Sequence, residues 1–158
     1  MNRLSVCLVF LFSFPLFALS QSKTTLAKNK VKGVTEIEVK NNISITETKE
    51  IYDSNGEIIE EHKFDKVGKL KSIHKYSRNK QGDVTEELTY DSKSKLKEKR
   101  VVKHNDLGQK TEENFYDNKN VLIKVAKYFY DAKGLKIEKK TFDAKGNLKK
   151  VNKYIYQF

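Results

Sequence analysis

The stretch from Tyr130 to Tyr154, YDAKGLKIEKKTFDAKGNLKKVNKY, states one short phrase twice: an aromatic residue, Asp, two free positions, then Gly. An Asp-x-x-Gly segment suits a type I turn opened by Asp and followed by a residue in the left-handed region, which Gly, and sometimes Asn, enters cheaply. That is the three-residue hairpin loop closed by a Gly bulge. In this register Asp143 opposes Asn147 and Phe142 opposes Leu148, so each copy is a hairpin with its own aromatic and aliphatic cross-strand pair.

Reading outward, aromatic anchors recur at Tyr52, Phe64, Tyr76, Tyr90, Tyr116, Tyr130, Phe142 and Tyr154, with His104 standing in between Tyr90 and Tyr116. The gaps are 12, 12, 14, 14, 12, 14, 12 and 12 residues. Because side chains alternate faces with period two, even gaps predict that all anchors share one face. Gly56, Gly68, Gly108, Gly134 and Gly146 sit four residues after an anchor, and Gly82 sits six after Tyr76 in a loop lengthened to SRNKQG. Asn120 occupies the Gly slot in YDNKN, Ser94 fits it less well in YDSKS, and Asn105 replaces Asp after His104. The aliphatic partner recurs as Ile58, Leu70, Val84, Leu96, Leu122 and Leu148; Lys110 and Lys136 interrupt it, and near Lys136 a register through Leu135 or Ile137 stays open. Repetition at such spacing marks a stacked, quasi-one-dimensional array.

Residues 1–20 combine Arg3, the apolar run VCLVFLFSFPLFAL and small residues at Ala18 and Ser20, the pattern of a cleaved secretory signal peptide. Cleavage removes Cys7, so the exported chain has no thiol for disulfides or thiolate metal sites, and no transmembrane segment is expected after it. Residues 21–32, QSKTTLAKNKVK, read as a flexible lysine-rich leader. Residues 33–158 read as one β-hairpin repeat domain: VTEIEVK and ISITETKEIY form the first two strands and eight more follow between turns. No 3.6-residue period is sustained. The expectation is all-β, an antiparallel meander of repeated hairpins, as a largely single-layer twisted sheet or open solenoid-like ribbon with no helix after the signal. The register places Glu87 opposite Lys99, Glu86 opposite Arg100 and Glu60 opposite His74.

The chemistry is sparse. No phosphate loop, His-Glu-x-x-His helix or nucleophile elbow occurs, and the chain reads as non-enzymatic, without cofactor or metal. Asp53, Asp65, Asp91, Asp117, Asp131 and Asp143 imitate a calcium ladder, but the turn itself needs Asp there. His62 and His74 hold equivalent places in successive repeats as diagonal neighbours and read as ordinary strand histidines. Two binding ideas remain. The net charge of +11, or +10 without Arg3, favours polyanions such as anionic glycans, with Lys97, Lys99, Lys149 and Lys153 as the candidate contacts. Alternatively, Tyr128, Tyr154 and Tyr156 stack on sugar rings. Specific nucleic-acid recognition is not expected.

At FDKVGKL, residues 64–70, and FDAKGNL, residues 142–148, the sequence resembles the YD repeat of Rhs proteins, an aromatic-Asp-x-x-Gly-x-Leu unit. YDSNGEI at 52–58 and YDAKG at 130–134 match as well. The resemblance spans roughly residues 52–158 and implies a β-meander or spiral ribbon, an exported or surface location, and the sugar-binding role often suggested for such repeats; periplasmic, cell-surface and extracellular placement all stay open. The Asp-Pro processing motif of large members is missing. A weaker similarity to the MORN-type repeats of small antitoxin-like proteins lacks their Gly and Trp richness. Two functions follow as expectations: a binding or scaffold module of the cell envelope for anionic glycans, and an immunity-type protein that meets one cognate protein through its exposed sheet edge.

Overall fold

In every hairpin after the first, a side-chain oxygen organises the turn. Oδ1 of Asp53, Asp65, Asn79, Asp91, Asn105, Asp117, Asp131 and Asp143 accepts the backbone N–H groups two and four residues later, at 2.8–3.1 Å. The residue three after it has positive φ each time, whether Gly or, at positions 94 and 120, Ser and Asn. This is the predicted loop, and Asn serves as well as Asp because the bonds need only an acceptor oxygen.

The computed structural model describes residues 23–40 and 42–157, so the signal peptide expected over residues 1–20 lies outside the described residues. The elements are α1 (Lys23–Lys28), β1 (Gly33–Lys40), β2 (Ile43–Tyr52), β3 (Ile58–Phe64), β4 (Leu70–Arg78), β5 (Val84–Asp91), β6 (Leu96–His104), β7 (Lys110–Asp117), β8 (Leu122–Tyr130), β9 (Lys136–Asp143) and β10 (Leu148–Lys153). The strands form one antiparallel sheet in chain order, β1 to β10, which does not close. Side by side, ten strands extend roughly 45 Å. The expected all-β meander is therefore observed.

Three expectations change, each for a local reason. Residues 23–28 are a helix, not part of a flexible leader, and its Leu26 is only 3% exposed. The helix abuts the β2–β3 turn, where Lys23 Nζ pairs with Glu57 Oε1 at 2.9 Å, and the chain then joins the sheet through Tyr52 N–H to Lys32 O at 3.0 Å. A six-residue helix is unstable alone, so this tertiary contact holds it.

Second, the Arg78–Val84 pair shows that the loop SRNKQG is not lengthened. Arg78 takes the anchor slot, Asn79 the Asp slot and Gly82 the Gly slot, while Tyr76 lies two residues inside β4. Corrected anchors at 52, 64, 78, 90, 104, 116, 130 and 142 are spaced 12, 14, 12, 14, 12, 14 and 12, so the true unit is 26 residues and two hairpins.

Third, each of these eight hairpins carries a second irregularity beyond its anchor pair, leaving Ile59, Lys71, Thr85, Lys97, Thr111, Ile123, Ile137 and Lys149 without an opposing residue in the ladder. One bulged residue per strand turns an even gap into an odd number of alternations, so successive anchors face opposite sides. Positions 52, 78, 104 and 130 share one face, and 64, 90, 116 and 142 the other. The bulge also shifts the ladder by one: Glu87 pairs with Arg100, Leu88 with Lys99, Glu86 with Val101, and His74 with Glu61 in place of Glu60. Glu113 lies between Val102 and Ala126 in the ladder, and all three are buried. Their side, which carries Arg78, His104 and Tyr130, is the inner face.

Candidate binding site

The 26-residue unit places Glu61, Glu87 and Glu113 in one column on the inner face. Tyr76 donates its hydroxyl to Glu61 Oε2 at 3.1 Å, and Tyr128 donates to Glu113 Oε2. Arg100 bridges the column, giving Nη1 to Glu113 Oε1 at 2.7 Å and Nη2 to Glu87 Oε2. His74 Nδ1 lies 3.0 Å from Glu87 Oε1, and Lys110 Nζ lies 2.7 Å from Glu113 Oε1. Burial pushes the Glu113 carboxyl up, but Lys110, Tyr128 and Arg100 together outweigh it and hold it below the usual range. Burial, and then the Glu113 carboxylate, push the Tyr128 phenol up. The donors gathered on Glu87 and Glu113 form a structural ion network along the column.

One unit further, the column changes sign: the position equivalent to Glu113 is Lys139, the ladder partner of Tyr128. A cationic, aromatic cluster results at β8–β10. Lys136 Nζ lies 5.8 Å from the Tyr128 ring centroid and 4.3 Å from that of Tyr154. Lys139 and Lys110 lie 5.2 and 5.7 Å from the Tyr128 ring. The hydroxyls of Tyr130 and Tyr156 donate to Lys110 O and Lys136 O at 2.8 and 2.9 Å, fixing both rings along the same margin. The structure thus brings Tyr128, Tyr154 and Tyr156 together around Lys136. Sequence reasoning missed Lys110, Lys136 and Lys139, although alignment at 26 residues would have shown a column of three acids ending in a lysine.

The four lysines singled out by charge do not converge. Lys97 and Lys149 are bulge residues of the β5–β6 and β9–β10 hairpins, and Lys149 Nζ is held by Asp143 Oδ2 at 3.0 Å. Lys99 lies on the outer face, 5.4 Å from the Tyr116 ring and 3.8 Å from Glu86. Lys153 pairs with Glu138 in the ladder. Four strand spacings separate β6 from β10, roughly 19 Å. His62 and His74 are also parted: His62 pairs with Ile73 on the outer face and bonds Glu60 at 2.5 Å, while His74 faces inward.

No known family model matches the chain, and no curated protein does. A solved structure of a protein of unknown function from Bacteroides fragilis is similar at 15% identity and a TM-score of 0.44, covering 80% of this chain and 96% of that one. That likeness says nothing of what this chain binds.

Proposed function

We propose that this chain is an exported, non-catalytic binding module of the cell envelope that holds an anionic glycan at the Tyr128–Lys136–Tyr154 cluster. The observation that carries the reading is Lys136 set between two tyrosine rings on the inner face, with Lys139 and Lys110 beside the same ring. Tyrosine faces cover the apolar side of a pyranose, and ammonium groups receive its carboxylate or sulfate. Residues 1–20 support the exported part of the reading by their signal-like pattern. Titration with heparin tests it: Lys136→Gln and Tyr154→Ala should each weaken binding about tenfold, equal to about 1.4 kcal/mol. Joint reversal of Lys97, Lys99, Lys149 and Lys153 to Glu should change binding less than either single variant. The opposite ranking would replace a defined site with diffuse charge.

A second reading, a protein partner met through the sheet edge, is favoured by β1. It is an edge strand whose Ile37 and Val39, with Ile43 at the start of β2, are 50%, 68% and 62% exposed. Exposed apolar edges are templates for strand addition. A single stoichiometric protein captured by the wild type and lost on Ile37→Lys with Val39→Lys would favour it.

A further inference from the structure

Internal repetition allows one turn to be read by its neighbours. At the β4–β5 turn, Arg78 fills the inner-face anchor slot: Nη1 donates to Gly82 O at 2.9 Å, while Nε and Nη2 donate to Ile58 O at 3.3 and 3.2 Å. Glu57 Oε2 lies 3.7 Å from Nη1. Two units later Tyr130 fills the same slot and donates to Lys110 O, while Gln109 Nε2 serves Gly134 O at 3.2 Å. Between them stands His104. Its equivalents of Ile58 O, Gly82 O and the Glu57 carboxylate are Val84 O, Gly108 O and the Asp83 carboxylate, and the shorter imidazole reaches none of them among the described residues.

A groove of ≈ 610 Å³ opens there, floored by Val102 and lined by Asp83, Thr85, His104, Asn105 and Gly108 among others. Its rim also carries Asp106, and neither Asp83 nor Asp106 joins an ion pair among the described residues. Asp83 Oδ2 accepts from Asn79 Nδ2 at 3.1 Å, which leaves Asp83 Oδ1, Val84 O and Gly108 O as the equivalents of the acceptors around the Arg78 guanidinium one unit away. We infer that this groove receives the arginine side chain of a partner polypeptide, whose planar fork meets Val84 O, Gly108 O and Asp83 as Arg78 meets their equivalents. The site is separate from the tyrosine and lysine cluster, and its test does not depend on that one.

The probe is N-acetyl-L-arginine methylamide titrated into the 15N-labelled protein, with the lysine analogue as control. Amide shifts should concentrate at Asp83, His104 and Gly108, and the lysine analogue should bind at least about tenfold more weakly because it lacks the fork. His104→Arg supplies the group from within, so it should raise the thermal midpoint and weaken the probe at least about tenfold. Asp83→Asn, which keeps the turn, should also weaken it, and Tyr154→Ala should leave it unchanged. Equal response to both probes, shifts elsewhere, or undiminished binding by His104→Arg or Asp83→Asn would overturn the assignment.

Discussion

The two margins of this sheet use the same turn and select its residues differently. On the margin of the β2–β3, β4–β5, β6–β7 and β8–β9 turns, the positive-φ slot is always Gly: 56, 82, 108 and 134. On the opposite margin it is Gly68, Ser94, Asn120 and Gly146. The backbone demand is alike, since φ runs from 59° to 90° at all eight. What differs is the company. A β-carbon on Gly56 would lie 2.2 Å from Lys23 O, one on Gly82 3.0 Å from Glu57 Oε1, and one on Gly134 3.0 Å from Gln109 Nε2, whereas one on Gly146 meets nothing within 4 Å. Along the first margin three of the four turns crowd the one before, with α1 in the place of a preceding turn at Gly56; at Gly108 the nearest atom, Asp83 Oδ1, is 3.8 Å away, an ordinary contact like the 3.7 Å to Ile45 at Gly68. Along the second the turns stand apart, so a residue that bears only the conformational cost survives there.

The largest effect should come where both demands meet. Gly56→Ala puts a methyl group into the backbone of α1 and should cost about 3 kcal/mol or more, combining the left-handed penalty with loss of helix docking. Urea unfolding measures it, and the amide signals of residues 23–28 should lose protection. Gly146→Ala should cost only the conformational part, about 1–2 kcal/mol. Equal losses at the two sites would break the distinction between the margins.

That distinction shows how far the sequence could be read. The turns were legible because Asp, Gly and the flanking pair each answer a strong local demand, and Phe142 does meet Leu148. The ladder beyond them was not, because the bulged residue is Lys, Thr or Ile and carries no turn chemistry of its own. A search for aromatics also passed over Arg78, whose guanidinium does with Ile58 O what the Tyr130 hydroxyl does with Lys110 O. The helix was hidden because KTTLAK is too short for periodicity, and only Leu26 is buried. The candidate cluster was half legible: the three tyrosines were named, while the lysines between them needed the 26-residue register.

Ser94 offers the converse of the Gly56 experiment. On the open margin it holds φ at 59° in a conformation that L residues enter at a cost. Ser94→Gly should raise stability by about 0.5–1 kcal/mol, reduced by the extra freedom that Gly gives the unfolded chain. Asn120→Gly should gain less, because Asn tolerates the left-handed region better. A loss from Ser94→Gly would mean that its side chain makes a contact the margin model does not allow for.

The smallest effect at neutral pH, and the finest test of the margins, concerns the residue that opens the turn. The first margin uses Asn at 79 and 105, each accepting the same two backbone N–H groups as Asp. On the second margin Asp143 adds Asn147 Nδ2 and Lys149 Nζ, both at 3.0 Å, and these, with the Asn147 N–H, hold its carboxyl well below the usual range. The Asp65 and Asp91 carboxyls on the same margin are also lowered, mainly by backbone N–H donors. A carboxyl whose folded pKa lies below its unfolded value of about 3.9 gives stability that is present above that value and is lost as pH falls toward the folded one. Asp143→Asn keeps the backbone bonds, removes an exposed ion pair and reverses the bond to the Asn147 amide, as Asn105 donates to Gln109, so its thermal midpoint near pH 7 should stay close to the wild type. Below about pH 4 the wild type should lose stability more steeply than the variant, with the remaining slope owed to Asp65, Asp91, Glu60, Glu112 and Glu113. Midpoints measured from about pH 7 down to about pH 2 decide it: parallel curves would show that the Asp143 charge adds nothing to a turn that Asn completes equally well on the other margin.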